Sequence, residues 1–123
     1  VEIRVKGAKT LKNKKKIGLT IGNSNLVKTA LFASDANWGR IMAAIGYSGI
    51  KVNPDKIDLF FNNVKMVGNG VSLGIDAERD ATEVLKKREF AITVDLRLGK
   101  AEATVWTCDL SYDYVKINAA YRT

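Results

Sequence analysis

The sequence predicts an α+β fold: a mixed, largely antiparallel sheet with two to three helices packed on it. Three observations carry that reading. Apolar and polar residues alternate over residues 1–6 and again over 90–96, the period of a strand with one buried side. Trp38, Ile41, Met42 and Ile45 recur at i, i+3, i+4 and i+7, the spacing of a single helix face. Gly68-Asn69-Gly70 separates two short apolar runs, as a hairpin turn does.

Taken in order, the first strand spans residues 1–6 and would bury Val1, Ile3 and Val5. Thr10 can cap a helix running to about Gly22, in which Ile17 and Ile21 form an i,i+4 apolar pair. Gly18 and Gly22 each cost that helix about 1 kcal/mol relative to alanine, so its stability should come from docking. Asn23, Ser24 and Asn25 form a stop, and residues 26–33 are an apolar segment that pattern alone assigns to neither helix nor strand. The clearest helix runs from Asp35 to about Gly46, with Ser34 or Asp35 as its N-cap and Gly46 or Gly49 as its end.

Asn53-Pro54-Asp55 is a turn before a strand at 57–61, and residues 64–67 and 71–73 flank the Gly-Asn-Gly turn. A further helix over 76–87 places Ala77, Ala81, Val84 and Leu85 on one face; Asp76 caps its start, and Lys86, Lys87 and Arg88 suit the negative end of its dipole. After the strand at 90–96, Gly99-Lys100 turns the chain into a strand at 101–108, its expected hairpin partner. A short last strand is expected around residues 114–118.

With 123 residues, 46% of them hydrophobic and 27% charged, the chain is long enough to bury one core. No repeat or linker divides it and Pro54 is its only proline, so residues 1–123 read as a single domain. The absence of histidine excludes a Ser-His-Asp or Cys-His pair and any His-ligated metal within these residues. A single cysteine, Cys108, excludes an internal disulfide and a cysteine-rich zinc site. The net charge is +7, and five lysines stand between residues 9 and 16 with no aromatic among them to stack a base. That run reads as a solvated helix face; the alternative is a free-standing basic α+β module that binds nucleic acid. No apolar run approaches the roughly 18 to 20 residues that cross a bilayer and no signal peptide opens the chain, so a cytoplasmic or organelle-matrix location is expected, without a membrane partner. The chain enters a strand pattern at Val1 without an initiator methionine, and its natural beginning is expected upstream.

Four constellations could carry chemistry. Gly68-Asn69-Gly70 with Gly74 has the spacing G-x-G-x-x-x-G, one residue too long for a dinucleotide fingerprint and without a long helix inside it, so it reads as a turn. Asp55 and Asp58, and Asp76, Glu78 and Asp80, read as solvated or capping acids. Asn37, Trp38 and Arg40 set an amide, an indole and a guanidinium at one helix start, where an anion could bind; packing and an Arg40 ion pair are the structural reading and the favoured one. The chain ends in Asn118, Tyr121, Arg122 and Thr123, whose polar groups could hold an amino acid or could belong to a frayed tail.

LVKTALFASDANWGRIMAAIGYSG (26–49) and TVWTCDLSYDYVKINAAYRT (104–123), with VEIRVKGAKT (1–10) and EFAITVDLRLG (89–99) in the same order, closely resemble the bifunctional ornithine acetyltransferase/glutamate N-acetyltransferase family of arginine biosynthesis. The resemblance spans essentially the whole chain and implies the C-terminal domain of that enzyme's β chain. Members of the family cleave themselves ahead of a threonine that becomes the nucleophile. Its hydroxyl takes acetyl from N2-acetylornithine, or in bifunctional members from acetyl-CoA, and passes it to glutamate through an acetyl-enzyme. An N-terminal α-amine, with a pKa near 8, can serve as the base, so no histidine is required.

By the same resemblance these 123 residues contain neither the α chain nor the nucleophile, which lies upstream of Val1, so no catalytic residue is expected in this chain. The family's Gly-Glu-Gly-Ala-Thr-type segment, whose glutamate contacts substrate, is also expected upstream. Asn118, in VKIN, and Thr123, in YRT, match substrate-binding positions of the family. The resemblance implies no metal and no cofactor beyond acetyl-CoA as a substrate. It also implies partnership with the α chain and upstream β segment in an α2β2 heterotetramer, in the cytoplasm or, in a eukaryote, the mitochondrial matrix. It gives no secure catalytic role to Asn37, Trp38 or Arg40.

Overall fold

The strand Glu2–Ala8 (β1) is paired on both sides, one place in from the edge of a six-stranded sheet. The computed structural model describes residues 1–120. After β1 come helices α1 (Leu11–Gly22), α2 (Asn25–Phe32) and α3 (Trp38–Tyr47), and a 3-10 turn at Pro54–Lys56. Strands β2 (Asp58–Phe61), β3 (Val64–Gly68) and β4 (Val71–Ser72) follow, then α4 (Ile75–Leu85), β5 (Ala91–Asp95), β6 (Ala101–Trp106) and α5 (Tyr112–Ala120). The six strands lie in the order β4-β3-β2-β5-β1-β6. Only β1 and β5 run parallel; the other four pairings are antiparallel, so the sheet is mixed and largely antiparallel as expected.

Register explains which side is buried. Ile3 and Val5 lie opposite Ile92 and Val94, which in turn lie opposite Phe61 and Leu59. Because side chains alternate across a sheet, this one set forms a continuous apolar face, and all six are completely buried. Arg4, Lys6 and Lys65 belong to the opposite face and are exposed. On the apolar face α1 covers β1 and β6, and α4 covers β2 and β3. Helices α2 and α3 dock against α1 and add Val27, Leu31, Ile41 and Ile45 to the same core. Two helices, α1 and α4, thus pack directly on the sheet, within the two to three expected, while α2 and α3 lie against α1 and α5 stands apart.

Helix α1 shows why docking outweighs propensity. Thr10 caps it by accepting from the Asn13 N–H, as the sequence suggested. Ile17, Gly18, Ile21 and Gly22 form its buried face. A Cβ on Gly18 would sit 3.2 Å from Val105, and one on Gly22 3.6 Å from Ile3 and Thr107. The two glycines let the helix backbone lie close to β1 and β6, offsetting their poor helix propensity with contact area.

Four local expectations are corrected. Helix α3 begins at Trp38 rather than Asp35, because Asn37 supplies the cap: its Oδ1 accepts from the Arg40 N–H at 3.1 Å, while Ser34 has φ 53° and stands outside. Helix α4 spans Ile75–Leu85 with Gly74 at the N-cap and no side-chain cap; Asp76 lies within the first turn, where it complements the dipole instead.

Strand β6 is not the hairpin partner of β5. It pairs with β1, from Glu2 opposite Trp106 to Ala8 opposite Ala101, and β1 occupies the place between them. The connecting segment passes the end of β1, where Leu96 and Leu98 donate to the carbonyls of Lys6 and Gly7. Finally, residues 112–120 are helical rather than a short strand. Ser111 Oγ accepts from the Tyr114 N–H at 3.0 Å, a local cap that outweighs the β-propensity of Tyr114, Val115 and Ile117.

The Gly-Asn-Gly segment is the turn it was read to be. Gly68 pairs with Val71, leaving Asn69 and Gly70 as a two-residue loop with φ of 50° and 76°, the signature of a type I′ hairpin.

Candidate functional site

Two surfaces carry the residues singled out by sequence. The first is α5. Every residue of this helix is solvent-exposed, including Tyr114, Val115 and Ile117. Its approach is held by two contacts with α2: the Leu110 N–H donates to the Lys28 carbonyl at 3.2 Å, and Tyr112 stands edge-on to Phe32 with ring centroids 5.9 Å apart. Asn118 lies on α5, exposed, and its Nδ2 donates to the Tyr114 carbonyl one turn earlier at 2.8 Å. That bond uses one of the amide's two donor hydrogens. Tyr121, Arg122 and Thr123 lie outside the described residues.

The second surface is a groove of about 1090 Å³ between α1 and α3. Lys12, Lys15, Lys16, Leu19 and Thr20 line it from α1, with Asn23 at the helix end, at the spacing of one helix face turned away from Ile17 and Ile21. From α3 come Gly39, Arg40, Ala43, Ala44 and Tyr47, and Leu26 closes one end. The floor is apolar and the rim cationic. The lysine run of the sequence is therefore divided by the helix: Lys14 points inward and is only 4% exposed, donating to the Glu102 carbonyl, while Lys12, Lys15 and Lys16 face the groove. Sequence reading missed the groove because its two walls are separated by α2; the available signal was the apolar Leu19 on the lysine face.

Asn37 and Arg40 have structural work in this wall. Asn37 caps α3, and its Nδ2 donates to Asp35 Oδ2 at 3.1 Å. The Arg40 guanidinium donates to the Leu26 carbonyl at 2.8 Å, tying α3 to α2 through a backbone oxygen rather than the expected ion pair. Trp38 packs against the core. Asp58 is also structural: its Oδ1 accepts from the Asn69 N–H at 2.9 Å, and Lys65 and Arg97 lie within 4 Å of its carboxylate. Among the described residues no group of three or more Asp, Glu, Cys or His is placed to hold a metal, and no helix is long and apolar enough to cross a membrane.

Comparison with known proteins places this architecture. The chain is 59% identical over its full length to the arginine biosynthesis bifunctional protein ArgJ of Geobacter sulfurreducens, and 49% identical to that of Symbiobacterium thermophilum. It spans 31% and 30% of those two relatives, about a third of their length. The crystal structure of the ArgJ protein of Bacillus halodurans superposes with a TM-score of 0.92 at 41% identity, over 98% of this chain and 56% of that one. The ArgJ family profile matches residues 1–123 from end to end, and the chain belongs to the ArgJ family.

Proposed function

We propose that this chain is the C-terminal domain of an arginine-biosynthesis acetyltransferase. The complete protein would move acetyl from N2-acetylornithine, or from acetyl-CoA, to glutamate through an acetyl-threonine intermediate. In this reading the nucleophile and its base lie upstream of Val1, and the present chain contributes Asn118 and Thr123 to the substrate pocket. The observation that supports it most is the 59% identity along all 123 residues to a bifunctional arginine-biosynthesis protein of which they form only 31%.

The exposure of α5 suits that role. A helix with no buried residue, which exposes Tyr112, Tyr114, Val115 and Ile117 along with Asn118, is built to meet further protein. Once covered, the Asn118 amide could bind a polar group of the amino-acid substrate in a drier setting, where such a bond is stronger. The chemistry needs no imidazole, because the α-amine of an N-terminal threonine has a pKa suited to proton transfer near neutrality. The assembly this implies is the α chain with the upstream β segment, as an α2β2 heterotetramer in the cytoplasm or mitochondrial matrix. The nucleic-acid alternative has no comparable support, since Lys14 is turned inward and the remaining lysines of α1 rim an apolar groove.

The test is acetyl exchange between N2-acetylornithine and glutamate, assayed with the 123-residue chain and with the complete protein. Only the complete protein should turn over. Turnover by the 123-residue chain overturns the assignment of the nucleophile to the upstream part.

A further inference from the structure

The groove between α1 and α3 is distinct from α5 and plays no part in the binding role given to Asn118. Its floor exposes Leu19, Leu26 and Tyr47, the last 89% exposed, and contiguous apolar surface of this kind marks a contact with another element. Lys12, Lys15, Lys16 and Arg40 surround that floor, and no Asp or Glu lines it. Among the described residues none of these four cations takes part in an ion pair. We propose that the groove receives an acidic amphipathic helix from the part of the ArgJ polypeptide outside these 123 residues, with its apolar side on Leu19, Leu26 and Tyr47 and its carboxylates toward the cations.

Charge selects this occupant. A second copy meeting the groove through a two-fold axis would set the lysines of one chain against those of the other. A nucleic acid would satisfy the cations but leave the aliphatic floor unmatched, with Tyr47 the one ring available for stacking. An amphipathic helix satisfies both features, as in other grooves that take a helix by its apolar face. Dimensions agree. The twelve residues of α1 make a wall about 18 Å long, enough for roughly three turns of a partner helix. The relatives, of which this chain is about a third, have the additional polypeptide from which such a helix could come.

The proposal rests on family membership and not on the reaction, and its test reads a covalent bond rather than turnover. The complete ArgJ protein is treated with a water-soluble carbodiimide, which joins a lysine amine to a carboxylate in direct contact, and its peptides are mapped by mass spectrometry. Lys12, Lys15 or Lys16 should be linked to an Asp or Glu outside these 123 residues. Ala43→Arg, at an exposed position on the groove wall, should lower the yield of that link about tenfold by filling the site. Lys15→Glu with Lys16→Glu should abolish the links at those two positions. The proposal is overturned if the three lysines link only between isotopically distinct copies, or remain unlinked while Lys86 and Lys87 react. It is overturned equally if the complete protein binds RNA in a salt-sensitive way that Lys15→Glu removes.

Discussion

Lys14 reaches from α1 to the edge of the sheet, where its ammonium donates to the backbone carbonyl of Glu102 in β6. The lysine stem is buried between helix and strand, and the charge ends on an edge-strand carbonyl that has no neighbouring strand to satisfy it. One residue thus closes the gap between α1 and β6 and occupies a backbone acceptor.

Replacing Lys14 by alanine should destabilise the 123-residue chain by about 2 kcal/mol, through loss of a hydrogen bond from a charged donor and of the packed stem. Lys12→Ala and Lys15→Ala, at exposed positions of the same helix, should stay within about 0.5 kcal/mol of the parent. Urea denaturation midpoints check the contrast. Equal values for the three variants would show that Lys14 carries no more weight than its neighbours.

Asn62 fixes the β2–β3 loop to β5 by two bonds with one residue: its N–H donates to the Ala91 carbonyl and its Oδ1 accepts from the Ala91 N–H, both at 2.8 Å. It also has φ 49°, so two effects coincide. Asn62→Gly keeps the backbone conformation and loses the side-chain acceptor, and should cost about 1 to 2 kcal/mol. Asn62→Ala adds left-handed strain of about 1 kcal/mol and should unfold at lower urea than the glycine variant.

Gly70 has φ 76° and faces the Pro54 carbonyl so closely that a Cβ would overlap it. Gly70→Ala should therefore cost about 2 kcal/mol or more, against the gain a glycine replacement brings where the backbone allows it. Amide exchange should show the loss first at Val67 and Ser72, whose pairing depends on the turn.

In the complete protein Asn118→Ala should reduce kcat/KM about tenfold or more, consistent with a lost hydrogen bond to bound substrate. The thermal midpoint should hardly move, because among the described residues the side chain bonds only to the Tyr114 carbonyl of its own helix and supports no other element. Unchanged kinetics would take Asn118 out of the pocket.

Where one local pattern dominated, the sequence was a sufficient guide. The alternation about Ile3 and Ile92, the Thr10 cap and the Asn69-Gly70 turn all lie where their patterns put them, because neighbours within a few residues decide each. The pairing of β6 was not legible, since the partner that displaces β5 is β1, at the far end of the chain, and no local signal encodes that choice. The helix at Tyr112 was hidden by β-branched and aromatic residues whose preference a serine cap overrode. Asn118 is proposed on resemblance to a family motif alone; its exposed setting on α5 would not have singled it out.

The placement of β1 has a consequence for how the chain comes together. Residue 2 pairs with residue 91 on one side and residue 106 on the other, so β1 is held between two strands that are far from it in the sequence. Such distant pairings are slow to close, because the loop entropy is lost before the contacts reward it. During synthesis β1 must therefore stay unpaired until β5 and β6 have left the ribosome, and a chain halted before residue 91 would hold four helices and the strands β2 to β4 with nothing to join β1 to them.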